Sequence, residues 1–452
     1  MIVTKGRKAK EKRIWMGILF SADLPPEGPG VSQNACATKE GPMKFFHASD
    51  IHLDSLLRNL ALDEPEQIGR IRHATRDAFG TLVDRCIEEK VSLLLLVGDL
   101  FDRDNPNMQI VRFLRHELGR LDREGIRVVI VKGNHDADNR IGRFLDLPSN
   151  AVVLDDARPQ QLAFPDLGVA VTGQSFSPGP VTENLALAYP PPLPGFFNIA
   201  LLHTSLSGYT EHEPYAPCSL NDLQARKYDY WALGHIHKRE ILSRDPAIIY
   251  PGNLQGRNAK ETGPKGAMCV EVEGNRIVSL DFVPLDVVRW HSLQIDSTGI
   301  RETAILAKTV RQKLEEVLQL SDGRPAAVRV TFSSRSSLTG SVLDRPESLR
   351  SWVLEVASEL SLDDLWIEKV RVERPQERDR PVSRLDSDFA AILAEVLQNP
   401  DALKASLDVE LASLRRNLPE ELRDEVDSGT ASDPSSLLPS LLERLYGQEG
   451  LS

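Results

Sequence analysis

Short runs of apolar residues alternate with longer amphipathic segments in the first third of the chain. The run Leu93–Val97 holds four leucines and a valine with no polar interruption, which is typical of a strand buried on both faces. Apolar residues recur at helical spacing over Glu66–Glu89 and again over Asn107–Glu124, which indicates amphipathic helices. Alternating strands and helices in this order predict an α/β fold with parallel strands.

The pattern changes beyond about Val152, where helical periodicity becomes rare and short strands dominate as far as Pro284. The predicted strands there are Val152–Leu154, Gly168–Gln174, Asn198–His203, Asp229–Leu233, Ala247–Tyr250, Ala267–Glu273 and Arg276–Val283. A parallel part followed by a strand-rich part predicts two packed sheets with helices outside them.

A different unit begins near Trp290. Its predicted elements are the strands His291–Ile295, Ala326–Phe332 and Trp366–Val372 and the helices Ile300–Leu318 and Leu349–Leu360. Beyond Pro375 the chain is charged, with helical candidates at Asp388–Leu397, Leu403–Leu414 and Leu437–Leu445. We therefore predict a two-sheet sandwich flanked by helices at residues 43–285, a smaller α/β domain at 286–375 and a helical C-terminal extension at 376–452.

The first 42 residues resemble no folded element. The basic stretch Lys5–Arg13 and the short apolar run Ile14–Phe20 superficially resemble a signal peptide, but Asp23 and two prolines follow at once. We interpret residues 1–42 as a disordered leader, or as an extension upstream of a start at Met43. Secretion stays an open alternative, and the cytoplasm is the favoured compartment.

Composition narrows the class of protein. The net charge of the 452 residues is -12, so no global basic field attracts nucleic acid and any such contact has to be local. The four cysteines show no CxxC spacing, which indicates ordinary thiols in a reducing compartment and no thiolate zinc site. No apolar run approaches the length of a membrane span.

Each of five apolar runs ends in aspartate, asparagine or histidine. These strand-end residues are Asp50 and His52, Asp99, Asn134 with His135 and Asp136, His203, and finally His235 and His237. A carboxylate, amide and imidazole set without cysteine suits Mn²⁺, Fe²⁺ or Zn²⁺ in an open catalytic site. Asp99 could bridge two cations about 3.5–4 Å apart, as in two-metal hydrolases. Taken singly, Asn134 could belong to a turn and His203 could be a hydrogen-bonded core histidine.

In their order, the motifs DxH, GDxxD, GNHD, a lone histidine and GHxH resemble the calcineurin-like metallophosphoesterase superfamily over residues 43–284. The resemblance implies an αββα sandwich followed by a cap domain. It implies a first metal on Asp50, His52, Asp99 and His237, and a second on Asp99, Asn134, His203 and His235. It further implies that His135 contacts the scissile phosphate and protonates the leaving oxygen, and that Asp102 orients it. A turn-capping role for Asp102 remains the alternative.

Three segments point to a branch of the superfamily. FHASDIHLDS at 46–55 and GDLFDRDNP at 98–106 resemble SbcD-type DNA repair exonucleases, and YPGNLQGRNAKETGPKG at 250–266 resembles their YhaO-type bacterial members. This resemblance implies DNA as substrate, Mn²⁺ as the favoured metal over Fe²⁺, Zn²⁺ or Mg²⁺, and a coiled-coil SMC-like ATPase of SbcC/YhaN type as partner. The C-terminal helices are the candidate docking element, and a solvated extension without a partner is the alternative.

Basic side chains near the motifs are candidates for substrate phosphate contacts. Arg103 gives the GDxxDR form of protein phosphatases, but Asp104 follows it where those enzymes usually have glycine, so the phosphatase branch is disfavoured. Arg257 and Lys260 lie in the 250–266 segment and could contact phosphate locally. Ordinary solvated surface is the alternative for all three.

The sequence therefore predicts a two-metal phosphodiesterase that acts as a DNA exonuclease in DNA repair. One rival is a phosphatase or phosphodiesterase acting on nucleotides or other small molecules. A second rival is a catalytically silent binding subunit of the same fold. The polarity of cleavage and the oligomeric state, including a homodimer, do not follow from the sequence.

Overall fold

The structure, a computed structural model, describes residues 18–19, 42–53, 55, 64–102, 108–138, 146–206, 215–297, 300, 302–333, 346–361 and 363–373. Arg103, most of the predicted leader and the predicted C-terminal helices lie outside these ranges. Among the described helices, none has the length and apolar character needed to cross a membrane.

The described elements follow one another in the predicted alternation. The strands are β1 (Ile18–Leu19), β2 (Met43–Ala48), β3 (Leu93–Val97), β4 (Arg127–Val131), β5 (Ala151–Val153), β6 (Gln160–Phe164), β7 (Val169–Gly173), β8 (Phe197–His203), β9 (Tyr230–Gly234), β10 (Glu240–Arg244), β11 (Ala247–Tyr250), β12 (Gly266–Glu273), β13 (Arg276–Pro284), β14 (Arg289–Ile295), β15 (Ala326–Ser333) and β16 (Leu365–Glu373). The helices are α1 (Pro65–Glu88), α2 (Met108–Arg123), α3 (Asn134–Asp138), α4 (Leu220–Ala225), α5 (Thr303–Leu320) and α6 (Pro346–Ser358).

Two sheets form the predicted sandwich. The first has the order β13-β12-β2-β3-β4-β5, and the second has the order β1-β6-β7-β8-β9-β11-β10. Strands β2 to β5 are parallel to one another, as are β7, β8 and β9. The predicted α/β class and two-sheet arrangement are thus confirmed.

Strand β3 shows why the leucine run is apolar on both sides. Leu93, Leu95 and Val97 join the core between the two sheets. Leu94 and Leu96 join the core beneath α1 and α2. Successive side chains of a strand point to opposite faces, so a central strand covered on both faces needs an apolar residue at every position.

A three-stranded parallel sheet, β14-β15-β16, forms the smaller unit, which we call the cap. Helices α5 and α6 pack on one face of this sheet. The other face meets α1 through a buried cluster that includes Trp290, Trp366 and Ile71. The sandwich and the cap lie in one compact unit that ends at Glu373. The predicted domain boundaries at 285 and 375 stay predictions.

Five of the described elements, namely β1, β6, β10, α3 and α4, were not predicted from the pattern. Strand β6 reads QQLAF and β10 reads EILSR, so their polar residues weaken the strand signal. Helix α4 spans only six residues, too few to show a helical period. Strand β1 lies in the segment interpreted as a leader, and α3 begins at Asn134 within the GNHD motif. Helix α3 carries the predicted site residues Asn134 and His135, and the other four elements carry none.

Candidate metal centre

The strand ends that carry the predicted ligands are tied together by backbone hydrogen bonds. The amide of Asp50 donates to Gly98 O at 3.1 Å, and the amide of His52 donates to Asp99 O at 2.9 Å. The amide of Gly98 donates to Val131 O at 2.9 Å. The loops after β2, β3 and β4 therefore form one edge, as expected for parallel strands in one sheet.

Four predicted site residues have left-handed backbone conformations. The φ angles are 52° at Asp50, 47° at His52, 53° at Asp99 and 100° at His235. Such a conformation at a non-glycine residue costs on the order of 1–3 kcal/mol and persists only where the surroundings impose it. Here the left-handed conformation turns the chain sharply at the strand end. It thereby places these residues where a continuing extended strand would not.

Glycines in the GD, GN and GH motifs let the loops approach closely. A Cβ on Gly98 would lie 2.1 Å from Nδ1 of His203, and one on Gly133 would lie 2.2 Å from Oδ1 of Asp99. A Cβ on Gly234 would lie 2.0 Å from the carbonyl oxygen of Val97. Real Cβ contacts are never this short, so any side chain at these positions would displace a predicted ligand or the β3 backbone.

The predicted ligands converge into two groups that share a carboxylate. In each group the ligand atoms lie within 4.8 Å of one another: Asp50, His52 and His237 form the first, and Asp50, Asp99 and His203 form the second. Asp99, a member of the second group, also lies near the first. Its Oδ2 is 3.8 Å from Nε2 of His52 and 3.5 Å from Nε2 of His203. The sharing of Asp50 was not predicted.

Asn134 and His235 complete the set. Oδ1 of Asn134 lies 3.1 Å from Nε2 of His203. The imidazole ring of His235 lies with its centroid 5.2 Å from that of His203, and its backbone amide donates to both carboxylate oxygens of Asp50 at 3.2 and 3.0 Å. Every predicted ligand thus lies at the same edge, while the division of these residues between two metals stays a prediction.

The donor set fits a divalent cation. Nδ1 of His52 faces Asp102 at 3.0 Å, and Nδ1 of His237 faces Glu261 at 2.8 Å. A neutral imidazole that donates from Nδ1 carries a lone pair on Nε2. The two Nε2 atoms face each other at 3.3 Å, so their lone pairs repel unless a proton or a cation lies beside both. Carboxylate oxygens and imidazole nitrogens at this spacing suit Mn²⁺, Fe²⁺ or Zn²⁺.

The electrostatics of the buried groups are strongly coupled. Burial alone would raise the pKa of Asp99, but the charge of His203 and its hydrogen bond hold that pKa well below its usual range. Burial likewise opposes protonation of His203, yet the neighbouring Asp99 raises its pKa to about 9. The pKa of His237 also rises to about 9 despite burial, because Asp50 and Glu261 accept its hydrogen bonds. The site therefore favours positive charge among its carboxylates.

His135 and Asp102 lie together beside the ligand groups. Oδ1 of Asp102 is 3.2 Å from Nδ1 of His135 and 3.0 Å from Nδ1 of His52. The backbone amide of His135 donates to Oδ1 of Asp99 at 3.0 Å, and its side chain is 30% exposed. One aspartate oxygen therefore serves both a predicted ligand and the predicted acid, an arrangement the sequence did not indicate. The residue following Asp102 lies outside the described ranges, so the turn-capping alternative is not tested.

One acidic residue of the site, Glu261, was missed, and Asp136 was recognised only as a strand-end residue without a role. Glu261 accepts from Nδ1 of His237 and lies in the 250–266 segment, where no spacing distinguished it from surface charge. Asp136 accepts from the backbone amides of Leu100, Phe101 and Gly133. It thereby ties the loop after β3 to the loop after β4. Burial, with the nearby charge of Asp99, raises the pKa of Asp136 to about 7.

The basic residues predicted to contact phosphate have different environments in the structure. Nη1 of Arg257 lies 3.7 Å from Oδ1 of Asp102, so this guanidinium is part of the site. Lys260 is exposed, and its backbone amide donates to Oδ1 of Asn258 at 2.9 Å. Lys265, a further basic residue of the 250–266 segment, is buried, and its ammonium donates to the carbonyl oxygen of His237 at 2.7 Å, which is a structural contact. Arg103 lies outside the described residues.

Comparison with known proteins agrees with this geometry. Residues 43–239 match the model of the calcineurin-like phosphoesterases, and residues 290–374 match the middle domain of metallophosphoesterase YhaO. The uncharacterized metallophosphoesterase YhaO of Bacillus subtilis is 32% identical over 360 residues, which cover 78% of this chain and 87% of that protein. The chain belongs to the calcineurin-like metallophosphoesterases and, within them, to the YhaO family.

Two more distant relatives are named for a role in DNA repair. A DNA double-strand break repair protein Mre11 from Sulfurisphaera tokodaii is 27% identical over 57% of this chain and 67% of its own length. One from Methanopyrus kandleri is 23% identical over 87% of both chains. The name and the repair role belong to those proteins.

Proposed function

We propose that this chain is a two-metal phosphodiesterase that cuts DNA as an exonuclease in DNA repair. The observation that supports it most is the pair of ligand groups that share Asp50 and both touch Asp99. Two cations held in this way, Mn²⁺ in our proposal, would activate water and neutralise the charge that builds on phosphoryl oxygens. The ligands are Asp50, His52, Asp99, Asn134, His203, His235 and His237.

The remaining side chains of the site have proton-transfer and binding roles in this proposal. His135 is partly exposed beside the ligand groups, so it can reach a phosphate bound there and give a proton to the leaving oxygen. The carboxylate of Asp102 accepts a hydrogen bond from the Nδ1–H of His135, which leaves Nε2 to face the substrate. Arg257, held beside Asp102, contributes positive charge where the phosphate binds.

DNA is favoured as substrate by the Mre11 proteins among the relatives and by the FHASDIHLDS and GDLFDRDNP segments. The test compares single-stranded DNA, double-stranded DNA and bis-p-nitrophenyl phosphate, each with Mn²⁺. We expect turnover of DNA ends and of the chromogenic diester. Turnover of the small diester with intact DNA would instead support a nucleotide or small-molecule phosphodiesterase. Bound metal without any turnover would support a silent binding subunit.

The proposal also includes a protein partner and a cellular compartment. A coiled-coil ATPase of SbcC/YhaN type would dock on the C-terminal helices, which lie outside the described residues. Its co-purification with the full chain, and its loss when residues 376–452 are removed, would support that interaction. A cytoplasmic location fits a DNA substrate and the scattered cysteines.

A further inference from the structure

The loop from Asn253 to Gly263, which we call the bridging loop, is fixed to the cap on one side. Nε1 of Trp290 donates to the carbonyl oxygen of Gly256 at 2.8 Å. The amide of Gly263 donates to the carbonyl oxygen of Trp290 at 3.1 Å. Ala259 packs in the buried cluster that holds Trp290 and Trp366. The part of the loop from Gly256 to Gly263 is therefore anchored to the cap.

On its other side the same loop reaches the metal centre through Glu261. Oε1 of Glu261 lies 2.8 Å from Nδ1 of His237 and 3.2 Å from Nη2 of Arg257. Its Oε2 accepts from Nδ2 of Asn253 and from the backbone amide of Arg257, both at 2.8 Å. The side chain is only 12% exposed. Four donors thus hold one carboxylate in a single orientation.

The position of Glu261 has a direct consequence for His237. A carboxylate on Nδ1 fixes the tautomer and the ring plane of a histidine, so that Nε2 is presented to a metal. Nη2 of Arg257 lies only 3.2 Å from Nδ1 of His237, and both are donors when His237 binds metal through Nε2. Glu261 accepts a hydrogen bond from each of these two donors, so neither nitrogen faces the other without an acceptor.

We propose that Glu261 is a positioning residue that aligns His237 for metal binding and holds Arg257, and that the cap keeps it in place through the bridging loop. This inference rests on the proposed metal centre. It adds a route by which the position of the cap sets the affinity of one metal subsite, the one that contains His52 and His237.

The first test measures Mn²⁺ affinity and stoichiometry by titration calorimetry in Glu261→Ala, Glu261→Gln and Thr262→Ala. Loss of a carboxylate that supports a metal-binding histidine typically weakens metal affinity about 10–100-fold. We expect that loss at one of two Mn²⁺ sites in Glu261→Ala. Glu261→Gln should be intermediate, because its amide oxygen can accept from His237 while its NH₂ group then faces the donors Asn253 and Arg257. Thr262 is exposed on the same loop, so Thr262→Ala should match the wild type.

The second test isolates the contribution of the cap. Trp290→Phe removes the N–H that binds the bridging loop. Trp366→Phe is the matched control, because its Nε1 donates to Asp363 O within the cap at 2.9 Å and it lies in the same buried cluster. We expect Trp290→Phe to weaken the same Mn²⁺ site several-fold, and Trp366→Phe to leave Mn²⁺ affinity unchanged at comparable thermal stability.

The outcomes separate this inference from the proposed function. A folded Glu261→Ala protein that binds both Mn²⁺ ions as the wild type does would overturn the positioning role. Equal Mn²⁺ affinity in the two tryptophan variants would overturn the role of the cap. A wild-type protein that binds two Mn²⁺ ions and leaves DNA intact would contradict the DNA substrate alone, and the Mn²⁺ titrations would still decide the role of Glu261.

Discussion

The two halves of the metal centre hold their histidines in different ways. In one half, Nδ1 of His52 and Nδ1 of His237 face the carboxylates of Asp102 and Glu261. In the other half, Nδ1 of His203 lies 3.2 Å from the carbonyl oxygen of Val97, a backbone atom of β3. His203, in the second half, is thus held by the backbone of the central sheet. The first half depends on side chains of loops, so substitutions can change it while the fold is kept.

Asp99→Asn should have the largest effect, because Asp99 contacts both halves through Oδ2. The amide keeps the shape of the side chain but removes the charge and one acceptor oxygen. We expect loss of Mn²⁺ from both subsites together with loss of phosphodiester hydrolysis. Metal analysis and bis-p-nitrophenyl phosphate turnover measure the two effects. Two Mn²⁺ ions per chain with normal turnover would show that Asp99 does not join the halves.

His135→Ala should leave both halves loaded and still block the reaction. His135 contacts the site through Asp102 and through its backbone amide, and an alanine keeps that amide. General acid catalysis typically contributes about 10²–10⁴-fold, and we expect DNA cleavage to fall by that factor at unchanged Mn²⁺ stoichiometry. Normal cleavage of DNA by this variant would remove His135 from its proposed role.

Asp102→Asn should weaken metal binding in one half of the metal centre and leave the other half nearly unchanged. Asp102 accepts from Nδ1 of His52, whereas His203 depends on the β3 backbone. We expect weaker Mn²⁺ binding at the His52 subsite, near the lower end of about 10–100-fold because the amide oxygen can still accept from His52, and little change at the His203 subsite, as resolved by two-site calorimetry. Equal weakening of both subsites would mean that the halves are not independent.

His47 gives the smallest expected effect and shows what a buried histidine does when it binds no metal. It lies in β2, where its ring contacts the hydroxyl of Tyr230 at 3.0 Å and the carbonyl oxygen of Leu233 at 3.1 Å. Burial lowers its pKa from 6.5 to about 3. Below about pH 6.5 the imidazole of His47 is therefore protonated in the unfolded chain and neutral in the folded chain. The contribution of His47 to the free energy of unfolding is fully present above that pH and decreases as the pH falls towards 3.

Urea unfolding of the metal-free protein at pH 7 and pH 5 measures this effect. The wild type should lose up to about 2 kcal/mol more stability over this interval than His47→Gln, which has no proton to bind there. The comparison uses the difference between the two pH values, so the general cost of the substitution cancels. Equal losses in the two proteins would show that His47 is protonated in the folded state.

The edge of the sandwich was predictable because its signals are local. An apolar run followed by Asp50, Asp99 or His203 indicates a strand and the residue at its end, and parallel strands place such ends together. The sharing of Asp50 and the double contact of Asp102 depend on how the loops turn after the strands, with left-handed backbone at Asp50 and His52, which no residue pattern marks. Glu261 depends on a contact between the 253–263 loop and the cap, so its role appears only in the folded chain.

Manganese-soaked crystals, with the anomalous scattering of Mn²⁺ recorded, test the central claim most directly. We predict two anomalous peaks about 3.5–4 Å apart, one beside His52 and His237 and one beside His203, with the carboxylate of Asp99 between them. A single peak, or peaks remote from Asp99, would contradict the two-metal account.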